Sequence, residues 1–177
     1  MWPDFFLGKN YWQFYPLETE SDNITSLKTF VRDIGIPRHI HCDNAKTMNS
    51  KAWKKYISEC ETYQSFTEPN SPFQNRAETQ IKMFKLMVIT LMSKYLIPKR
   101  FWDYVGLYVC DIHNLTASAM LDYKTPKKVI TGNTPDISEY TEFHLYQPCY
   151  YFNSADTFPN DKECLGRWLG VSHLVSQ

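Results

Sequence analysis

Long apolar runs are missing from this chain of 177 residues. No run reaches the roughly 18 residues that a membrane-spanning helix needs, so we expect no transmembrane segment. The start, MWPDFF, also lacks the basic and apolar regions of a secretory signal peptide. These absences predict an intracellular protein of the nucleus or cytoplasm.

A charge excess of either sign is also missing, because 19 Lys and Arg residues balance 19 Asp and Glu residues. Net charge therefore indicates no nucleic-acid partner, and any basic surface must come from local clustering. The cysteines are odd in number and show no CxxC spacing, which predicts buried free thiols rather than disulfides or zinc ligands. They are Cys42, Cys60, Cys110, Cys149 and Cys164.

The residues that are present suit a folded α/β protein. Apolar residues make up 43% of the chain, enough for a core. Periodicity predicts alternating helices and strands, then two long helices joined at Pro98 as a helical hairpin, then a β-rich tail. The predicted elements before the long helices are a β-hairpin over 5–17, a helix over about 21–34, a strand over 38–43, a helix over about 50–60 capped by Asn49 or Ser50, and a strand over 62–66. After the long helices, Thr125-Pro126 and Gly132 predict the start and end of a short helix, and strand-like runs follow over 142–152.

One face of the strand over 38–43 carries polar side chains. Alternation places His39, His41 and Asp43 on the same side. The pattern is typical of a metal site or of ordinary sheet residues near a polar cleft, and we favour the second interpretation for the histidines. Asp43 differs, because it ends the strand at its carboxyl end, where α/β folds bind ligands.

A glutamate begins the first long helix 35 positions after Asp43. At 100° per residue, Glu78 shares a helix face with Lys82 and Lys85. This pattern has two interpretations: an exposed Glu–Lys pair worth a few tenths of a kcal/mol, or a metal-binding carboxylate beside lysines that contact phosphates. Spacing alone favours the ion pair.

Six motifs occur in an order that resembles a known family. The chain resembles the integrase catalytic core of retroviruses and LTR retrotransposons, a ribonuclease-H-like fold, and is most similar to copia-type elements. The motifs are YPLETES at 15–21, FVRDIGIPRHIHCDNAK at 30–46, SPFQNRAETQIKMFK at 71–85, FWDYVGLYVCDIHNLTAS at 101–118, TPKKVITGNTPDISEYTEF at 125–143 and LGRWLGVS at 165–172.

The resemblance implies an Asp–Asp–Glu triad that holds two Mg²⁺ (or Mn²⁺) ions for DNA cleavage and strand transfer. By motif, Asp43 matches the second aspartate and Glu78 the glutamate. Lys82 and Lys85 match positions that contact DNA, and Asn75 matches the loop that approaches the element end. The implied partners are the element ends, target DNA and further copies of the chain.

The match to the first aspartate of the triad is missing. The family places it well before the pair that is Tyr15-Pro16 here, and Asp4 is the only acidic residue available. We expect Asp4 to be a surface or turn residue, and the alternative is that it substitutes for the missing aspartate. We therefore expect an N-terminally truncated core without its first central strand, and a rearranged or marginal sheet. The predicted domains are an incomplete core over 1–120 and an extension over 121–177. The alternative function is a non-catalytic DNA-binding remnant.

Overall fold

The computed structural model describes residues 3–8, 10–17, 19, 22–42, 46–67, 76–155, 157, 159 and 161–172. The described chain alternates helices and strands up to the first long helix, and it is mixed α/β as predicted. Its helices are α1 Asn23–Asp33, α2 Lys51–Glu59, α3 Arg76–Lys94, α4 Trp102–Leu115, α5 Pro126–Thr131 and α6 Ser138–Glu142. Its strands are β1 Pro3–Gly8, β2 Tyr11–Pro16, β3 His39–Cys42, β4 Tyr63–Phe66, β5 Pro148–Phe152 and β6 Glu163–Arg167.

The chain divides into two compact units. The first comprises Met1–Gly8 and Trp12–Met83, and the second comprises Lys9–Tyr11 and Phe84–Gln177. The predicted division into 1–120 and 121–177 places the boundary elsewhere and stays a prediction. Among the described residues, no helix is long and apolar enough to cross a membrane.

The core of the first unit forms between α1 and α2. Leu27, Trp53 and Ile57 are buried there, and partly buried apolar residues such as Val31 and Ile40 pack against them. Burying each large side chain stabilises the fold by about 1.5–3 kcal/mol. The α2 helix begins where the sequence indicates, because the Ser50 hydroxyl accepts a hydrogen bond from the Trp53 N–H at 3.2 Å.

The strands of the described residues form three two-stranded sheets: β1 with β2, β3 with β4, and β5 with β6. β3 and β4 are parallel, with His39 opposite Tyr63 and Cys42 opposite Phe66. The α2 helix connects them, since parallel strands need a crossover. The described strands are thus not joined into the single sheet of the resembled fold. Asp4 lies within β1 rather than in a turn. The alternative, that it is a surface residue, stays a prediction.

The second unit contains α4 and the part of α3 from Phe84 onward, the two long helices expected on either side of Pro98. Their packing as a helical hairpin stays a prediction. α3 ends at Lys94, and Leu96 then adopts a left-handed conformation with a φ of 53°. Buried apolar residues lie on both helices and on the chain that follows. They include Phe84, Val88, Val105, Val109 and Leu145.

The tail of the chain differs from its predicted pattern. We expected strand over 142–152, but α6 occupies Ser138–Glu142, and β5 begins only at Pro148. Asp136 explains the helix start, because its carboxylate accepts the Ser138 N–H at 2.9 Å. β5 and β6 pair antiparallel, with Tyr150 opposite Leu165.

The cysteines are free thiols, as predicted, but only Cys110 is buried. The other four are half-buried, so the expectation that all five are buried is wrong. Burial raises the pKa of the Cys110 thiol, with a smaller contribution from Asp111. This thiol is therefore protonated at neutral pH and unreactive.

Candidate nucleic-acid and metal site

Glu78 lies in the first turn of α3, as the sequence indicated. Its side chain is half exposed, and its Oε1 lies 3.0 Å from the Nζ of Lys82, one helical turn further on. The carboxylate is favoured by the helix macrodipole at this end. Lys85 is exposed on the same helix. The structure thus contains the Glu–Lys pair that spacing alone favours, and it presents the carboxylate to solvent.

Two of the predicted site residues, Asp43 and Asn75, lie outside the described residues. The elements beside them are described: β3 ends at Cys42, and α3 begins at Arg76. The parallel ladder continues past the strands, since the Thr67 N–H donates to the Cys42 carbonyl at 3.0 Å. Asp43 therefore follows a strand end and Glu78 a helix start, while their separation stays a prediction.

The exposed histidines of β3 bind hydroxyl groups of β4 and the residue after it. His39 Nε2 and His41 Nδ1 lie 2.7 Å and 2.8 Å from the Ser65 Oγ. His41 Nε2 lies 3.2 Å from the Thr67 Oγ1. Since a hydroxyl has one hydrogen, Ser65 donates to at most one of the two imidazoles and accepts from any ring nitrogen that carries a hydrogen. Both histidines are thus polar residues of the sheet, and they share the Ser65 hydroxyl as a hydrogen-bond partner.

Carboxylate oxygens are the ligands that Mg²⁺ prefers, and the exposed Glu78 carboxylate suits a hydrated ion of this kind. Among the described ranges, which exclude Asp43, no three His, Cys, Asp or Glu side chains lie close enough to hold a metal together. A site of three such ligands here would therefore need residues outside these ranges, such as Asp43.

Sequence reasoning missed Ser65 and Thr67 as partners of the histidines. Alternation along β3 places His39 and His41 on one face, but it does not give the strand that lies opposite. The parallel register, His41 opposite Ser65, supplies that information.

Solved structures give the comparison that bears on this site. The chain is similar to the HTLV-2 integrase catalytic core domain in complex with magnesium. The dimeric form of that domain matches with a TM-score of 0.52 and 15% identity, over 70% of this chain and 75% of that chain. The trimeric form matches with a TM-score of 0.54 and 14% identity, over 72% and 91%.

A chain of the simian T-cell lymphotropic virus intasome, solved in complex with PP2A regulatory subunit B56 gamma, matches over more of the sequence. The TM-score is 0.57 at 18% identity, over 93% of this chain and 66% of that chain. The chain has an integrase-core-like fold. No family model matches the sequence, and no curated protein matches it.

Proposed function

We propose that the chain is an integrase-type catalytic core of a copia-like retrotransposon, with a ribonuclease-H-like fold, that binds DNA and divalent cations. The observation that carries the proposal is the integrase-like fold together with Glu78, an exposed carboxylate in the first turn of α3. The order of the six motifs supports the same family.

In this proposal Asp43 and Glu78 hold Mg²⁺ or Mn²⁺. Two such cations, when bound, would activate the attacking oxygen and stabilise the leaving oxygen of a phosphodiester. Lys82 and Lys85 contact DNA phosphates, and Asn75 approaches the end of the element. Release of Glu78 from Lys82 at the helix surface costs little, because exposed ion pairs contribute only about 0–1 kcal/mol.

The resemblance implies three carboxylates, and Asp43 and Glu78 supply two of them. We therefore propose that this chain binds metal and DNA but transfers strands only weakly by itself. Assembly with further copies of the chain is part of the proposal, in line with the dimeric and trimeric forms of the similar integrase domain.

A DNA-binding protein without catalysis is the second candidate. The contact that favours it is the 3.0 Å pair between Glu78 and Lys82, since a lysine already neutralises this carboxylate.

Mn²⁺ titration by calorimetry tests the metal site. We expect Asp43→Asn and Glu78→Gln each to weaken binding at least tenfold, because each removes a charged ligand. Glu59→Gln is the matched control, since Glu59 is also an exposed helical acid paired with a lysine, Lys55 at 3.8 Å. Binding that neither variant changes, or that Glu59→Gln weakens equally, would refute the metal site.

A strand-transfer assay and DNA titration over a salt series separate the two candidates. Salt-dependent DNA binding that weakens in Lys82→Ala and Lys85→Ala supports both candidates. Metal-dependent strand transfer that is lost in Glu78→Gln supports the integrase alone. DNA binding that does not respond to salt would exclude phosphate contacts and both candidates with them.

A further inference from the structure

An open cavity of about 570 Å³ lies in the second unit. Its volume is in the range of about 300–1,000 Å³ that small ligands occupy. Leu145 is buried beside it, and Tyr95 and Tyr146 contribute aromatic rings. His144 and Arg167 contribute polar groups. The cavity thus combines an apolar surface with one permanent positive charge.

The rings beside this cavity are covered by cations. The guanidinium carbon of Arg167 lies 5.1 Å from the centre of the Tyr146 ring, and that of Arg100 lies 4.8 Å from the Phe101 ring. The Phe101 and Tyr146 rings are themselves 6.4 Å apart. Arg100, Phe101, Tyr146 and Arg167 therefore form a continuous row, which we call the arginine–aromatic row.

The charge of this row is available to an anion. Both arginines are exposed, and neither forms an ion pair among the described residues. A ring attracts a guanidinium but does not neutralise it. Arg167 donates one hydrogen bond, at 3.3 Å, to the Tyr146 carbonyl, and the remaining N–H groups of its fork can bind a phosphate.

The backbone at the cavity is held in an unusual conformation. Leu96 and Tyr146 both line it with positive φ values, 53° and 64°, which residues with a Cβ rarely adopt. The Tyr146 N–H donates to the Trp168 carbonyl at 2.7 Å, and this bond fixes the residue in place. The ring that pairs with Arg167 is therefore positioned before any ligand arrives.

We propose that the cavity and the arginine–aromatic row bind single-stranded nucleic acid. A phosphate binds Arg167 or Arg100, and a base packs into the cavity against Tyr146. Duplex DNA offers phosphates but keeps its bases stacked inside, whereas a single strand offers both. This function goes beyond the proposed integrase chemistry, because it needs no metal and none of the residues from Asp43 to Lys85.

Fluorescence anisotropy of the full chain tests this site, with EDTA present and a labelled oligothymidylate of about 16 nucleotides as the probe. We expect Arg167→Gln to weaken binding at least fivefold and to lower the salt slope by about 0.7, the value for one phosphate contact on a single strand. Arg100→Gln, at the other end of the row, should also weaken binding. It is the test variant if Arg167→Gln does not fold.

Arg32→Gln is the matched control, because its guanidinium is also exposed but is already paired with Asp33 at 2.8 Å. It should leave the affinity unchanged. Arg167→Lys should recover only part of the affinity, since an ammonium lacks the planar fork.

Three results would overturn the proposal: an affinity unchanged by both arginine variants, an equal loss in Arg32→Gln, or an equal loss of affinity in Arg167→Gln for a duplex of matched length. Glu78→Gln should lose metal binding and still bind oligothymidylate. This result would support the single-strand site separately from the proposed integrase function.

Discussion

The two units of the molecule differ in the groups that contact their lysine and arginine side chains. All three ion pairs found between described residues lie in the first unit: Arg32–Asp33, Lys55–Glu59 and Lys82–Glu78. Of the five cation–π contacts within the same described part of the chain, four lie in the second unit, at Lys94, Arg100, Lys162 and Arg167. A carboxylate cancels a positive charge, whereas a ring leaves it in place. A chain with zero net charge can therefore still present a cationic surface.

The largest expected effect concerns the core of the first unit. Trp53 is 1% exposed and packs with Leu27 and Ile57. Trp53→Ala should lower the free energy of unfolding by about 3–5 kcal/mol, because it leaves a cavity among these side chains. Urea denaturation followed by circular dichroism measures the change.

Trp53→Phe is the control for this prediction. The buried indole Nε1 has no hydrogen-bond partner among the described residues, so phenylalanine keeps most of the packing and removes an unsatisfied N–H. Its cost should be clearly smaller than that of alanine. Equal losses for the two variants would contradict the prediction that the volume removed from the core sets the cost.

A smaller effect is expected in the second unit on acidification. His113 donates from Nε2 to the Asn10 carbonyl at 3.0 Å, and burial lowers its pKa, partly offset by this hydrogen bond. A lowered folded-state pKa means that the unfolded chain binds the proton more tightly. The stabilisation that neutral His113 provides is thus complete above the ordinary histidine pKa of about 6.5. It is lost as the pH falls through the lowered folded-state pKa.

Thermal denaturation between about pH 7.5 and 5.5 tests this contribution. The Tm of the unaltered chain should fall on acidification, and His113→Gln should fall less, because glutamine can donate to Asn10 without titrating. His144→Gln replaces an exposed histidine of the same unit and should keep the original pH dependence. If His113→Gln also keeps that dependence, another group is responsible.

The smallest effect concerns the paired cations of the first unit. Lys82→Ala should change the free energy of unfolding by about 0.5 kcal/mol or less, because the pair with Glu78 is exposed. Lys55→Ala is the matched control, because Lys55 forms a similar exposed pair with Glu59 at 3.8 Å. It should change the free energy of unfolding by a similarly small amount. Chemical denaturation of both variants measures this. A loss above about 1 kcal/mol in Lys82→Ala alone would mean that the pair contributes to the fold itself.

Local sequence signals predicted several elements well. Ser50 capped α2, Thr125 and Pro126 began α5, and Gly132 ended it with a φ of 80°. Each of these depends on a few neighbouring residues. The tail was predicted less well. The aromatic run over 142–152 is typical of a strand, but the Asp136 carboxylate binds the Ser138 N–H and a short helix begins there.

The candidate site divides in the same way. The sequence by itself determined that Glu78 begins a helix and lies one turn from Lys82, because helical spacing fixes that geometry. Only the tertiary structure placed Ser65 between His39 and His41, and Arg100 and Arg167 along one row of rings. These contacts join residues far apart in the chain, and no local periodicity encodes which distant strands and turns become neighbours.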